Sequence, residues 1–438
     1  MPLRLRTPFW LLLSVLPLAP LAAQMDEPAR VKATYDRQDV MIPMRDGVRL
    51  FTTIYTPKDA KGSLPILLSR TPYGTDTFLM TGDFVQVRPF NPNKKGTEND
   101  EASDTYDMID WLVKNQPATN GNVGVWGVSY LGFYSTMAAL SRHPALKAVS
   151  PQAPVTDWSI GDDFHHNGAL FLADGFDFMS RFGLPRKGPS RERLASFRSG
   201  TPDGYQFYLE PGSLAAFSAK HMGNSNPFGT EMFAHPTYDA FWKARTPLPH
   251  LKDVQPAMMT VGSWFDAEDV WGSVHTYQAV EKQNPGHPNM LVMGPWYHGQ
   301  WWFDEGSQLG EVRWGSKTSD YYNANILLPF FNYYLKGKGD GRFPEAQVYE
   351  TGVNQWRTFD AWPPATARRE AIYLGAGGAL SVGRPARAQG FEKAVPFVPN
   401  QVDKVEFELP DVPHPFKAGH RLMIQVQSTW FLLADRNP

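Results

Sequence analysis

Apolar and polar residues alternate from Val40 to Ile54, with Ile42 and Met44 before Asp46-Gly47 and Val48, Leu50, Thr52 and Ile54 after it. This period of two around a turn dipeptide predicts a hairpin. Pro65 to Ser69 is a short apolar run and predicts a buried strand that enters the loop Arg70-Thr71-Pro72-Tyr73-Gly74. A helical stripe follows at Tyr106, Ile109, Leu112 and Val113, with Ser103 as its predicted cap and Asp104 and Asp107 in its first turn. Asn120-Gly121 ends it. Val123 to Val128 predicts the next strand, Phe133 to Leu140 a helix, and Leu146 to Ser150 a further strand. Strand and helix in alternation predict a mostly parallel sheet covered on both faces.

The texture changes between residues 155 and about 250. Strand signals fade and helical stretches such as Thr237 to Arg245 stand among aromatic and polar residues. This predicts a mostly helical insertion over one end of the sheet. The earlier pattern then resumes. Ala257 to Val261 and Met290 to Met293 predict strands; Val270 to Lys282 and Tyr322 to Leu335 predict helices, the last containing Pro329. Beyond Gly341 the alternation is strand-like throughout, as in Val405, Phe407 and Leu409 and in Leu422, Ile424 and Val426. That predicts a sandwich of short strands. The segments are therefore 24–154 and 251–340 for the two parts of the α/β domain, 155–250 for the helical cap, and 341–438 for the β domain, with 1–23 set apart as a leader.

The leader reading rests on Arg4 and Arg6, an apolar run from Phe9 to Leu21 broken by Pro17 and Pro20, and the small residues Ala22-Ala23. Such a segment reads as a secretory signal, too short to span a bilayer comfortably, so the expected location is secreted or periplasmic. No later stretch has the length to cross a membrane. The 438 residues contain no cysteine and carry a net charge of −2. Disulfides, thiolate chemistry and cysteine metal sites are excluded, and nothing in the charge favours a nucleic-acid partner.

Candidate chemistry gathers at three strand ends. Asn122-Val-Gly-Val-Trp-Gly-Val-Ser-Tyr-Leu-Gly132 holds Ser129 where a strand turns into a helix, flanked by Gly127 and Gly132. A strained serine at such a corner presents its hydroxyl outward. The second glycine comes three residues after the serine rather than the usual two. Asp266 follows the strand that ends in Gly262-Ser263-Trp264-Phe265, and His298 follows the strand that ends in Gly294-Pro295-Trp296-Tyr297. Taken singly, each has a plain explanation: a tight turn, a helix cap, a core histidine beside Trp296 and Trp301. Together, in the order Ser, Asp, His, at the edge where catalytic groups collect in open α/β sheets, they point to an α/β-hydrolase triad. His298 would take the proton of Ser129 and Asp266 would orient and stabilise the imidazolium. The backbone N–H of Tyr130 and the hydroxyl of Tyr73 are the candidate oxyanion donors. This chemistry calls for no cofactor. A metal at Asp162, Asp163, His165 and His166 is disfavoured because adjacent histidines seldom both reach one ion in a helix.

Four motifs, Gly127-Val-Ser-Tyr-Leu-Gly132, Arg70-Thr-Pro-Tyr-Gly74, Trp264-Phe-Asp-Ala-Glu-Asp269 and Gly294-Pro-Trp-Tyr-His-Gly299, resemble the acylhydrolases that include cocaine esterase, X-Pro dipeptidyl-peptidase and, most strongly, the α-amino acid ester hydrolases, also known as glutaryl-7-aminocephalosporanic acid acylases. The resemblance implies an α/β-hydrolase domain, a helical cap and a C-terminal jelly roll. It implies Ser129, Asp266 and His298 as the triad, with Tyr73 and Tyr130 at the oxyanion. It further implies that Asp163, Glu268 and Asp269 receive the α-ammonium group of the substrate. Clustered carboxylates are costly unless a cation sits among them; against this, Glu268 and Asp269 also open a helix, where acids are favoured anyway. The expected partner is a small ester or amide, β-lactam side chains included, and a homo-oligomer is one assembly the resemblance implies. A broader carboxylesterase or a glutaryl acylase is the alternative within enzymes. An inert carbohydrate- or ligand-binding protein on the same scaffold is the alternative outside them.

Two departures from the relatives stand out. They have a further strand between the Tyr73 loop and the helix near Ser103, where this chain offers only Phe84-Val85-Gln86-Val87, which predicts either a gap beside the serine strand or this segment filling the place. The jelly roll is also shortened near residues 380 to 390.

Overall fold

The structure, a computed structural model, describes residues 27–75, 88–166, 168–181, 197–223, 226–370, 372–374, 380–381, 412–416, 418–419 and 424. The leader, Phe84 to Val87, and the strands expected at Val405 to Leu409 and, Ile424 aside, Leu422 to Val426 lie outside these residues.

Seven strands build the central sheet: β1 (Leu64–Leu68), β2 (Thr119–Val128), β3 (Leu146–Gln152), β4 (Ala257–Ser263), β5 (Asn289–Gly294), β6 (Ala346–Glu350) and β7 (Gln355–Phe359). Their spatial order is their order along the chain. β1 to β6 pair in parallel and β7 returns antiparallel to β6. Every residue of β4 and β5 is buried. Strands covered on both faces need apolar side chains throughout, which is why these segments read as unbroken apolar runs. Successive residues divide between the two faces. Met290 and Val292 join Trp296, Tyr322, Phe330 and Phe331 in one core, while Leu291 and Met293 join Val274, Tyr277 and Trp362 in the other.

Four helices matter for the site: α1 (Glu101–Asn115), α2 (Tyr130–Ala139), α3 (Val270–Gln283) and α4 (Leu328–Lys336). α1 starts earlier than expected. Its cap is Asp100, whose carboxylate accepts the Ser103 N–H while the Ser103 hydroxyl accepts the Asp100 N–H. Ser103 is thus the second member of a reciprocal box rather than the cap itself. The helix expected over Tyr322 to Leu335 is broken into Thr318–Tyr322, a π-helical turn at Asn323–Leu327, and α4. Pro329 lacks the N–H a continuous helix would use, and the wider turn before it accommodates the loss.

Two further expectations are corrected. The first two strands after Gly341 belong to the central sheet rather than to the expected β domain: Ala346–Glu350 lies parallel to β5 and Gln355–Phe359 pairs antiparallel with it in turn, whereas Tyr373–Leu374 and Leu380–Ser381 pair with each other and most of the remaining β domain lies outside the described residues. The predicted gap beside the serine strand is also absent, because β1 pairs directly with β2, Ile66 opposite Val123 and Leu68 opposite Val125. The hairpin is as expected, with strands Tyr35–Pro43 and Arg49–Pro57 turning through Asp46-Gly47 and the Met44 N–H bonded to the Val48 carbonyl. Among the described residues, 27–40 and 53–61 form a small unit by themselves; all that follows concerns the larger unit.

Between β3 and β4 the described residues hold helices Leu172–Arg181, Gly204–Leu209, Leu214–His221 and Pro227–Ala234 around the aromatic core of Phe176, Phe207 and Phe217. The helix expected at Thr237 to Arg245 is reduced to Ala240–Lys243. No helix among the described residues is long and apolar enough to cross a membrane.

Candidate active site

β2 ends at Val128 and α2 begins at Tyr130, so Ser129 takes the whole change of direction. Its backbone sits at φ 66° and ψ −127°. A non-glycine residue there carries strain of about 1–3 kcal/mol, which the surroundings must hold in place. They do so from both sides: the Ser129 N–H bonds the Gln152 carbonyl at 2.9 Å, and the Ser129 carbonyl accepts the Phe133 N–H at 3.0 Å. The flanking glycines are needed for room. A Cβ on Gly127 would lie 2.4 Å from the Cβ of Leu131. A Cβ on Gly132 would lie 2.4 Å from the Gln152 carbonyl oxygen and 2.9 Å from the Cα of Pro154. The unusual spacing of the second glycine therefore has a cause, since it is the third residue of α2 that meets the end of β3. Gln152 escapes notice in the sequence because the apolar run of β3 fades at Ser150, two residues before the strand does.

Asp266 and His298 meet as expected from the chain order. His298 Nδ1 lies 2.9 Å from Asp266 Oδ2. The other oxygen of Asp266 accepts the N–H groups of Glu268 at 2.8 Å and Asp269 at 2.9 Å. Asp266 thus caps the approach to α3 and orients the histidine together. The bond keeps the proton on Nδ1 and leaves Nε2 as the basic nitrogen of the neutral ring. Burial pulls the His298 imidazolium toward deprotonation, but the Asp266 carboxylate and its hydrogen bond, with Glu268 and Asp163 behind them, outweigh it and push the pKa up to about 9. Nε2 faces the Glu268 carboxylate at 3.6 Å. Among the described residues no hydrogen bond joins Ser129 to His298. The serine instead bonds the hydroxyl of Tyr73.

Tyr73 sits in the loop that leaves β1, where its N–H bonds the Thr71 hydroxyl at 2.9 Å. Burial, and next the charge of Asp163, push its phenol far above the ordinary value, so it stays a proton donor. Tyr130 occupies the first position of α2, where backbone N–H groups have no partner within the helix. Its ring packs edge-on against Phe133 and Tyr134.

Three carboxylates close around the histidine. The Asp163 N–H bonds the Glu268 carbonyl at 3.2 Å. Asp269 Oδ2 lies 3.8 Å from His298 Nδ1. Burial first, then mutual repulsion, holds Asp163 and Asp269 well above the usual carboxylate range, and burial with the Asp266 charge raises Glu268. Asp269 is fully buried and neither of its oxygens has a hydrogen-bond partner. It stands at the cap position of α3 without capping it, so a favourable helix terminus does not account for its side chain. Ligand atoms of Glu268, Asp269 and His298 lie within 4.8 Å of one another, a spacing a small cation could share.

Asp162 differs from its neighbour. Its carboxylate accepts the N–H groups of Thr156, Asp157 and Gly272, which ties the start of the cap to α3. The two histidines beside it point into separate packing: His165 bonds the Trp158 carbonyl and lies against Trp242, and His166 stacks on Phe171. Burial holds both at about 4, neutral at physiological pH.

Residues 90–300 match the family described as X-Pro dipeptidyl-peptidase (S15 family). The chain is 27% identical over 385 residues to the cocaine esterase of Rhodococcus sp. (strain MB1 Bresler), an alignment that covers 78% of this chain and 63% of that protein. Among solved structures it is similar to an α-amino acid ester hydrolase, with 32% identity, a TM-score of 0.72, and coverage of 88% of this chain and 70% of that one. It is equally similar to an aminopeptidase from a marine sediment Thaumarchaeota archaeon, with 32% identity, a TM-score of 0.72, and coverage of 82% and 63%. The chain thus spans less than two thirds of the length of the esterase and of the aminopeptidase.

Proposed function

The chain belongs to the X-Pro dipeptidyl-peptidase (S15) family, and from that premise we propose that it is a serine hydrolase that cleaves esters or amides of α-amino acids through an acyl-Ser129 intermediate. His298 Nε2 takes the hydroxyl proton as Ser129 Oγ attacks the acyl carbon. The oxyanion that forms is held by the Tyr73 hydroxyl and the Tyr130 N–H, each donor of this kind being worth about 10²–10³ in turnover. His298 then gives its proton to the departing alcohol or amine, leaving the acyl group on Ser129. Water enters, loses a proton to Nε2, and releases the carboxylic acid as Ser129 recovers its proton. An amine in place of water completes acyl transfer, and β-lactam side chains fall within this class of acyl group.

The observation that carries the preference for amino acids is Asp269, fully buried with neither oxygen in a hydrogen bond and only the His298 ring, 3.8 Å away, to face its charge. A buried carboxylate without hydrogen bonds is destabilised by several kcal/mol unless it is protonated or meets a well-placed cation. Asp163 and Glu268 add charge to the same place. A substrate α-ammonium supplies three N–H donors and one positive charge, which matches that need. The names of the two solved relatives at 32% identity, α-amino acid ester hydrolase and aminopeptidase, both denote substrates with an α-amino group, which supports the same class. A broader esterase or a glutaryl acylase would present no such cation.

The test compares substrates. The triple variant Asp163→Asn, Glu268→Gln, Asp269→Asn is expected to raise KM for an amino acid ester about 100-fold, the worth of roughly 2.7 kcal/mol, while changing KM for a plain ester of the same leaving group far less. Equal losses on both esters contradict the ammonium site and leave a general esterase.

A further inference from the structure

We propose that Arg70 is the positioning residue of the oxyanion site, a buried clamp that ties the Tyr73 loop to the first turns of α1 and rests on Tyr134 of α2. The inference rests on the reading of Tyr73 as an oxyanion donor. Arg70 lies two residues past the end of β1 and is 8% exposed. Its guanidinium makes three bonds at once: Nη1 to the Glu101 carbonyl at 2.7 Å, Nη1 to the Thr105 hydroxyl at 2.8 Å, and Nη2 to the Glu101 carboxylate at 3.1 Å. All three partners lie in the first turns of α1. The flat face of the same group lies over the ring of Tyr134, 4.6 Å from its centre. Tyr134 in turn shares a hydrogen bond with Tyr130, the residue next to Ser129. The same side chain therefore holds the Tyr73 loop to α1 and rests on Tyr134 of α2.

The lever from Arg70 to Tyr73 is short. Only Thr71 and Pro72 lie between them; proline fixes its own backbone angle, and the Tyr73 N–H is tied to the Thr71 hydroxyl. A displacement of the guanidinium thus reaches the phenol with little chance to relax. The charge around Arg70 is balanced without it being the sole cation, because Arg88 also pairs with Glu101 and Asp104. A variant at Arg70 therefore keeps a cation among these carboxylates. Lysine retains the charge but cannot make the planar set of bonds or stack on Tyr134.

A double-mutant cycle decides the matter, read as kcat and KM on a plain ester that does not involve the carboxylate cluster. Tyr73→Phe alone is expected to lower kcat by about 10²–10³. Arg70→Lys alone is expected to lower kcat by about 10-fold or more with KM nearly unchanged. The milder Thr105→Val, which removes one of the three bonds, is expected to lower it a few-fold. In the Tyr73→Phe background both are expected to cost less than two-fold, because the group they position is gone. Equal costs in the two backgrounds overturn the proposal, as does a loss of thermal stability with kcat intact. If Tyr73→Phe itself leaves kcat unchanged, the oxyanion reading fails, and any kcat loss in Arg70→Lys then shows that Arg70 acts on something other than Tyr73.

Discussion

Ser129→Ala is expected to lower kcat for ester hydrolysis by about 10⁶-fold while leaving the fold in place. The size follows from what the hydroxyl does. Without it no acyl-enzyme forms, and His298 loses the only group on which its proton transfer acts in the first step. What remains is the charge stabilisation offered by Tyr73 and Tyr130, worth on the order of 10³–10⁴ over water in related triads. The fold survives because the strain at Ser129 belongs to its backbone, φ 66°, and is held by the Gln152 carbonyl and the Phe133 N–H. Alanine makes both of these bonds. Loss of the hydroxyl bond to Tyr73 is a change within about 1 kcal/mol. Turnover on a nitrophenyl ester and the thermal midpoint, measured on one preparation, check both halves: a full loss of rate with an unchanged midpoint is the expected pair.

Asp266→Asn is expected to lower kcat/KM by about 10⁴-fold and to change its dependence on pH. The amide cannot accept the Nδ1 proton through the oxygen now lost, so the ring favours the tautomer that blocks Nε2. The pH effect has a definite sign. In the native enzyme Asp266 is the strongest influence holding the imidazolium, with a pKa at about 9 in the free enzyme. The base is the neutral ring, so kcat/KM on a plain ester should rise about tenfold per pH unit and level off near pH 9. Removing the negative charge lets the proton leave at lower pH, and the rising limb of the residual activity moves to the acid side. A pH profile of kcat/KM for both proteins checks this. An amino ester brings a positive charge to the same cluster, so its kcat, which reports the bound complex, should level off at lower pH than kcat/KM for the plain ester.

The candidate edge is legible in the sequence because Ser129, Asp266 and His298 each follow an apolar run that a doubly covered sheet requires. β4 and β5, buried at every position, needed no partner to be recognised. β6 and β7 were not recognised as members of the same sheet. They are five-residue strands, and what assigns them is pairing with Leu291 to Met293, more than fifty residues earlier, rather than any local pattern. The start of α1 is ambiguous in the sequence for a related reason. Asp100 and Ser103 both suit a cap, and only the reciprocal bonds between them show which residue opens the helix. The strand missing relative to the relatives suggested a gap beside β2, yet β1 occupies that place by direct pairing. Arg70 was visible only as part of a motif, since its partners Glu101 and Thr105 lie 31 and 35 residues away. The carboxylates are legible as residue types, but the want of any hydrogen bond to Asp269 is a property of burial that spacing does not carry.

The most direct measurement is labelling of the folded protein with a fluorophosphonate, followed by peptide mass mapping. The account predicts one phosphonyl group per chain on the peptide that contains Ser129, no labelling in the Asp266→Asn protein on the same timescale, and protection by an amino acid ester present in excess. A folded protein that takes up no label, or takes it up on another residue, contradicts the hydrolase reading and leaves a binding protein on a hydrolase scaffold.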